Sequence, residues 1–133
     1  MGRAMILTLP YPPSVNRMWR TPNAGPLAGR TMLSSDGRRY RADVAMVVAA
    51  YRQSARSGAI SGRHWPVECR LSVDIEARMP DRRKRDIDNL PKAVLDALTH
   101  AGVWADDSQI DDLRVWRSPE MGGVVIVTIA QRE

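Results

Sequence analysis

The strictest constraint on the fold is an unbroken alternation of apolar and polar side chains from Val67 to Ala77. Successive side chains of a β-strand point to opposite faces of its sheet, so the pattern predicts a strand with one face in the core and the other in water. The only cysteine, Cys69, belongs to the apolar set. We therefore interpret Cys69 as a core residue and not as a nucleophile. Pro80 is expected to end the strand.

Two amphipathic helices are predicted on either side of this strand. Apolar residues recur at helical spacing from Arg38 to about Ser57, and again from about Asn89 to Ala101. Gly58 and Gly102 are expected to end them. The predicted apolar stripes are Tyr40, Val44, Val47, Val48 and Tyr51 in the first helix and Leu90, Val94, Leu95, Leu98 and Ala101 in the second.

Three further strands complete the predicted fold. They are Met5–Leu9, Ile110–Trp116 and Val124–Ile129. We expect the helical crossovers to give parallel strand pairs and the last two strands to form an antiparallel hairpin. The order β-α-β-α-β-β predicts one small α/β or α+β domain over residues 1–133, with a mixed four-stranded sheet and two helices.

Proline and glycine predict irregular structure between some of these elements. Tyr11–Asn16 contains two prolines, which restrict the backbone and remove hydrogen-bond donors. The segment from Arg17 to Ser35 is expected to be a loop, and Asp36-Gly37 is typical of a turn. Asp88 or Asn89 is a candidate N-cap for the second helix, with Pro91 tolerated in its first turn.

The charge balance indicates a polyanionic partner. The chain has 20 basic and 15 acidic residues, a net charge of +5, and Lys84 and Lys92 as its only lysines beside 18 arginines. A small basic domain most often binds nucleic acid, and the arginine guanidinium matches phosphate geometry. A GC-rich genome would also favour arginine codons, but it does not explain the net charge.

Composition also excludes several classes of protein. One cysteine rules out an intramolecular disulfide and a thiolate metal cluster, and it fits a reducing cytoplasm. No apolar run approaches the roughly 20 residues of a membrane span, so we expect no membrane association. We find no phosphate-binding glycine loop and no nucleophilic triad, and we expect no small-molecule cofactor. His64 and His100 stand alone and are interpreted as surface residues.

The acidic residues are concentrated in one stretch. Eight of the 15 lie between Asp81 and Asp112, and all eight are aspartate. They are Asp81, Asp86, Asp88, Asp96, Asp106, Asp107, Asp111 and Asp112. Carboxylates in a nucleic-acid-binding protein repel phosphate, so this stretch needs a compensating cation. Asp111 and Asp112 begin a strand and are expected to be exposed.

The most informative pair of carboxylates is Asp86 and Asp88. In extended backbone, residues two apart point the same way, so both can face one point while Ile87 turns into the core. Two convergent carboxylates can bind Mg²⁺, and the cations Arg82, Arg83, Lys84 and Arg85 just before them can hold phosphates. The alternative is a solvated turn with an N-cap, which is the usual meaning of an isolated Asp-x-Asp pair.

Lys92 and Asp107 are further candidates. Lys92 lies one helical turn after Asp88 and could stabilise charge on a leaving oxygen, or it could simply pair with Asp88 or Asp96. Asp107 follows the second helix. It can approach Asp86 only if the next strand runs back beside the strand that ends near Pro80, and the sequence leaves that geometry open.

Several motifs follow one another in a fixed order along the chain. They are Leu9-Pro10-Tyr11-Pro12-Pro13-Ser14-Val15-Asn16-Arg17, Ser35-Asp36-Gly37-Arg38-Arg39-Tyr40-Arg41, Met79 to Leu90, Lys92-Ala93, Asp96-Ala97-Leu98-Thr99 and Gly102 to Ile110. Together they resemble the RusA family of Holliday junction resolvases over most of the chain. Pro91 departs from the pattern, as does the longer, Gly- and Pro-rich loop from Arg20 to Leu33.

The resemblance implies a homodimeric, Mg²⁺-dependent endonuclease, with Mn²⁺ as a possible substitute, that makes paired nicks in four-way junction DNA during recombination and repair. Such enzymes are bacterial or phage-encoded. It implies metal-binding catalytic carboxylates at Asp86, Asp88 and Asp107, brought together in one active site in each subunit, and an essential lysine at Lys92. It also implies DNA-backbone contacts from Arg82, Arg83, Lys84 and Arg85.

Two other functions fit parts of the sequence. A module that binds branched DNA without cutting it would explain the basic run, but it would gain nothing from carboxylates beside its phosphate site. A metal-dependent phosphatase or nucleotidyl transferase would place its Asp-x-Asp pair directly after an apolar strand, whereas cations precede Asp86 here.

Overall fold

The computed structural model describes residues 4–54 and 66–132. The predicted end of the first helix near Ser57 and Gly58, and His64, lie outside these residues. The strands are β1 (Ala4–Pro10), β2 (Trp19–Arg20), β3 (Met32–Leu33), β4 (Leu71–Met79), β5 (Ile110–Met121) and β6 (Val124–Gln131). The helices are α1 (Val15–Met18), α2 (Ser35–Ser54) and α3 (Leu90–His100), with 3₁₀ turns at Ile87–Asn89 and Asp107–Gln109.

A mixed four-stranded sheet carries the fold, as predicted. Its strand order is β1-β6-β4-β5. β4 and β5 are parallel, whereas β6 is antiparallel to both β1 and β4. This confirms a small α+β architecture, with the parallel pair joined through α3. The parallel pair expected from the first crossover is wrong, because β6 separates β1 from β4.

The predicted hairpin between the last two strands is wrong, because β6 lies between β1 and β4. Gly122 and Gly123 carry the chain across the end of β4, and both amides donate to the Met79 carbonyl at 3.0 and 3.2 Å. Burial explains the arrangement. Val125, Val127 and Ile129 of β6 are fully buried, which suits a central strand, whereas β5 is largely exposed and suits an edge.

The core lies on one face of the sheet, where α2 and α3 cover alternate residues of the strands. The apolar set of β4 is buried, and Cys69 packs against the core as expected, although Val67 and Cys69 precede the strand and Val67 forms an isolated bridge with Trp104. A bidentate pair of Arg41 on α2 with Asp96 on α3, at 2.9 and 3.0 Å, joins the two helices. None of the described helices is long and apolar enough to span a membrane.

The turn predicted at Asp36-Gly37 is wrong, because both residues lie in the first turn of α2. The Ser34 hydroxyl accepts a hydrogen bond from the Gly37 amide at 3.0 Å and so caps the helix. A Cβ at Gly37 would lie 2.4 Å from the Met18 carbonyl oxygen. The glycine is therefore explained by the close approach of two backbone segments, and not by a turn.

The irregular segments are also more ordered than predicted. Val15 and Asn16 belong to α1, and the expected loop between Arg17 and Ser35 contains the short antiparallel ribbon of β2 and β3. Elements of two to four residues are too short to show a periodicity. The predicted stop at Gly102 is confirmed: its φ is +81°, and its amide and that of Val103 donate to Thr99 and Leu98, which is a Schellman motif.

Candidate active site

The candidate site lies at the edge of the sheet where β1 and β4 end. Pro10 and Arg78, near the last residues of these two strands, both pair with Val124 of β6. A cleft of about 740 Å³ opens there between the Pro10–Val15 segment, the start of α2 and the segment from Pro80 to Leu90. This volume is within the usual range of ligand clefts.

Two tyrosines fix the walls of the cleft. The Tyr40 hydroxyl on α2 donates to the Pro10 carbonyl at 2.9 Å, and burial raises the pKa of Tyr40, so it remains a donor. The Tyr11 hydroxyl donates to the Met79 sulfur at 3.4 Å, and burial raises its pKa as well. The proline-rich segment after β1 is thereby tied both to α2 and to the end of β4.

Asp81 organises the basic run. Its carboxylate binds the Arg85 guanidinium, with one contact at 3.2 Å, and accepts the Arg83 amide at 2.9 Å. The hydrogen bond from Arg85 is the main reason that the pKa of Asp81 is lowered to about 2. Arg85 also lies over the Tyr11 ring, 5.8 Å from its centroid, and its carbonyl accepts from Arg117.

The four predicted DNA-binding residues therefore differ in their surroundings. Arg82, Arg83 and Lys84 are exposed. Within the described part of the chain, Arg82 and Lys84 make no ion pair, and Arg83 has only a 3.9 Å contact with Asp81. Arg85 is half-buried, and its side chain already contacts Asp81 and the Tyr11 ring. Three cations of the run thus face solvent beside the cleft, and the fourth shapes the loop that carries them.

Asp86 and Asp88 follow directly and are both exposed. Asp86 has extended backbone, Asp88 lies in the 3₁₀ turn, and Ile87 between them packs against the core as expected. Neither carboxylate makes a hydrogen bond or ion pair with any residue that the structure describes. Of the two predicted N-cap residues, Asn89 occupies the N-cap position of α3, but its side chain makes no capping hydrogen bond. Pro91 sits at the helix start, as predicted.

Lys92 lies in the first turn of α3, one turn beyond Asp88. The alternative that it pairs with Asp88 or Asp96 is not observed, since among described residues Lys92 forms no ion pair and Asp96 is held by Arg41. Instead, the Lys92 Nζ lies over the Trp19 ring, 5.0 Å from the centroid. No carboxylate in the described part of the chain neutralises its charge.

Asp107 lies at the opposite end of the sheet. It precedes β5, whose first residue Ile110 pairs with Leu71 at the start of β4, whereas Asp86 follows the end of β4. The eleven residues of α3, which rise roughly 16 Å, separate the two carboxylate groups. One chain therefore does not bring Asp107 to Asp86 and Asp88, and no three His, Cys, Asp or Glu side chains among the described residues could share a metal.

Gln109 positions the Asp107 turn and was not among the predicted residues. It is buried; its amide nitrogen donates to the Val67 and Cys69 carbonyls at 2.9 and 3.0 Å, and its oxygen accepts the Ala105 and Asp106 amides. With Asp106 it forms a capping box. The Asp-x-x-Gln spacing of that box was the available signal in the sequence. Asp106 is thus occupied in capping, whereas Asp107 is exposed and makes no described hydrogen bond.

The donor set at Asp86 and Asp88 fits a hard divalent cation. Mg²⁺ takes oxygen ligands, keeps several waters and is usually held by one or two carboxylates together with substrate phosphate. Two exposed carboxylates without arginine partners, beside three exposed cations, meet that description. By contrast, Asp81, Asp96 and Asp111 are bound by arginines.

Comparison with known proteins identifies the family. The profile of the family described as endodeoxyribonuclease RusA matches residues 10–130. The chain is 44% identical over 126 residues to the crossover junction endodeoxyribonuclease of Enterobacteria phage 82, and 43% identical to that of Escherichia coli strain K12. Each alignment covers 94% of this chain and 92% of the relative. A Shigella sonnei relative of the same name is 42% identical over the same coverage.

Proposed function

Because the chain belongs to the RusA family of endodeoxyribonucleases, we propose that it cuts four-way DNA junctions by paired, symmetric nicks and acts in recombination and repair. One observation from the structure carries the proposal. Asp86 and Asp88 have no partner among the described residues, yet they lie beside the exposed cations of the basic run. Carboxylates placed next to a phosphate-binding surface serve a nuclease and hinder a protein that only binds DNA.

Each group of site residues would have its own role in the reaction. Arg82, Arg83 and Lys84 would hold the phosphates of the junction, and Arg85 would contribute through the loop it shapes and through its own charge. Asp86 and Asp88 would bind Mg²⁺, or Mn²⁺ in its place; when bound, such a metal polarises a phosphate and lowers the pKa of a bound water. Lys92 would stabilise negative charge on the leaving oxygen.

A homodimer would supply the third carboxylate. We propose that Asp107 acts in the site, and since one chain holds it a helix length from Asp86, a partner is the remaining source. Two subunits related by a two-fold axis would place one site on each of two strands, which suits symmetric cleavage of a four-way junction. Each site would then combine Asp86 and Asp88 of one chain with Asp107 of the partner subunit.

The test is cleavage of a labelled synthetic four-way junction by D88N, beside a linear duplex of the same sequence, with and without Mg²⁺. We expect wild type to nick the junction only when metal is present. D88N should lose more than about a hundredfold of the rate, because a metal ligand is removed, while binding the junction as well or better. D112N, which removes an exposed aspartate at the start of β5, is the matched control and should cut normally.

Two results would contradict the proposal. Nicking by D88N at the wild-type rate would remove Asp88 from the site. Tight binding of the junction by wild type, without nicks under any divalent metal, would favour the alternative of a non-catalytic branched-DNA-binding protein.

A further inference from the structure

An aromatic ring holds the proposed catalytic lysine. The Lys92 Nζ lies 5.0 Å from the centroid of the Trp19 ring, which is within the range of a cation–π interaction. Lysine has a long flexible stem, so an ammonium at a helix surface normally samples many positions. Contact with a ring face restricts that sampling and leaves the donor hydrogens of the ammonium available to another partner.

The helix itself does not explain a lysine at this position. Lys92 lies in the first turn of α3, where the helix dipole presents its positive end and disfavours a cation. No carboxylate among the described residues pairs with it. Of the residues that the structure describes, only Trp19 attracts this ammonium, through the face of its ring.

Trp19 is, in turn, held at a fixed place. Its amide donates to the carbonyl of Val15, the first residue of α1, and it pairs with Leu33 in the ribbon of β2 and β3. The neighbouring Met18 is fully buried, and its carbonyl accepts from Ser34. The ring packs against the core, so its position is set by the fold and not by Lys92.

The indole nitrogen is not the reason for a tryptophan here. The Trp19 Nε1 is buried and has no hydrogen-bond partner among the described residues. A buried donor without a partner destabilises a protein, so the useful part of the side chain is the ring. A phenylalanine would keep a ring face and remove the unsatisfied donor.

We propose that Trp19 is a positioning residue for Lys92: its ring holds the ammonium at one place, one helical turn beyond Asp88, where it can meet negative charge on the substrate. The inference rests on the proposed nuclease function, because it assigns Lys92 to the leaving oxygen. It adds a residue from the ribbon of β2 and β3 to a site otherwise built from the segment between β4 and α3.

The sequence allows a direct test, because Lys84 and Lys92 are its only lysines. Reductive methylation with ¹³C-formaldehyde keeps the charge and labels both side chains for NMR. The reaction also labels the N-terminal amine, so the K84R and K92R variants are each used to assign one of the two lysine signals. We expect ring-current shielding to move the Lys92 methyl signal upfield of that of Lys84. In W19L the Lys92 signal should move to the Lys84 position, whereas W19F should keep part of the shift.

Cleavage kinetics supply the second readout. W19L should lower the turnover number on the four-way junction roughly fivefold to tenfold, with unchanged junction affinity in the absence of metal. W19F should retain most of the rate. Thermal unfolding of each variant checks the fold, and W19M, whose longer and more flexible side chain can fill more of the shape of the indole, replaces W19L if that variant does not fold.

The outcomes separate this inference from the function on which it rests. Equal chemical shifts for Lys84 and Lys92 in the wild-type protein would overturn it, and so would wild-type turnover by a folded W19L. A wild-type protein that cuts no junction would contradict the proposed function, and the methyl shifts would still decide whether Trp19 holds Lys92.

Discussion

At the scale of single residues, ion pairs with arginine separate the aspartates that stabilise the fold from those proposed to act in the reaction. Asp81 binds Arg85, Asp96 binds Arg41 and Asp111 binds Arg70. Asp86, Asp88 and Asp107 have no such partner among the described residues. The sequence shows the concentration of aspartates but not this division, because two of the three partners lie 41 and 55 residues away along the chain.

The Asp81–Arg85 pair gives a prediction for acid pH. In the folded protein Asp81 should titrate near pH 2, below its ordinary value of 3.8, because Arg85 donates to the carboxylate. Since the folded pKa is depressed, the stabilising contribution of the pair is complete above about pH 4 and is lost as the pH falls through 2. Carboxyl ¹³C NMR can follow the titration.

The R85A variant is the control for this assignment. Without the guanidinium, the Asp81 midpoint should rise toward 3.8. An Asp81 midpoint that stays the same in R85A would show that another group depresses the pKa.

At the scale of elements, local periodicity predicted the helices and strands that are long enough to show a repeat. The stripes of α2 and α3 and the alternation along β4 were read correctly, because each repeats over several turns or strand positions within one segment. The central place of β6 in the sheet was not predicted correctly. It depends on a comparison between strands, namely which of them has the most apolar side chains to bury. The short ribbon of β2 and β3 was missed because two residues a strand carry no period.

Gly37 tests the close approach between α2 and the end of α1. By helix propensity alone, Gly37→Ala in a helix should stabilise the protein by about 1 kcal/mol. We expect the opposite, a loss of about 1–3 kcal/mol, because the new Cβ would overlap the Met18 carbonyl at 2.4 Å and also the Leu33 side chain. Urea unfolding measures the difference.

The matched control is Ala42→Gly on the exposed face of the same helix. It should destabilise the protein by about 1 kcal/mol, as propensity predicts. If Gly37→Ala were as stable as wild type, the contact between the two backbone segments would be looser than the structure shows.

At the scale of the whole molecule, the candidate residues occupy two ends of one sheet. The cleft, the basic run and Asp86 lie where β4 ends, and Asp107 lies where β4 begins. The sequence could not reveal this separation, because a residue that follows a helix can lie at either end of a sheet until the strand pairing is known. The resemblance implied a complete site in each subunit, whereas one chain holds Asp107 at the other end of the sheet from Asp86 and Asp88.

Mixing two inactive variants tests the shared site. D86N and D107N should each be inactive as homodimers. After unfolding and refolding together, heterodimers should regain cleavage, because one of their two sites would receive both substitutions and the other neither. We expect mainly single nicks in the junction. No recovery in the mixture, with heterodimers verified by mass, would mean that both carboxylates act within one chain.

The charge distribution gives a second prediction at this scale. Junction affinity should fall less steeply with salt in R82A/R83A, with the slope of log K against log[salt] reduced by roughly 1 to 2, because each lost phosphate contact removes about 0.9. Filter binding over a range of salt concentrations measures the slope. R132A removes one positive charge where β6 ends, beside the start of β4, and should leave the slope nearly unchanged. Equal slopes in wild type, R82A/R83A and R132A would show that the basic run is only a solvated surface and makes no phosphate contacts.

The central place of β6 also has a consequence for how the protein is made. β6 is translated after every other strand, yet it supplies the pairing partner of β1 and one of the two partners of β4. A nascent chain that has not reached Val124 leaves β1 without a neighbour in the sheet, and the contacts that close the fold join residues far apart in sequence, which slows folding. The cleft edge at Pro10 and Gly123 is therefore assembled last. While β6 is still missing, a growing chain on the ribosome already contains the basic run and the carboxylates, but they do not yet form a finished site. The ability to cut DNA therefore begins only when the four-stranded sheet is formed.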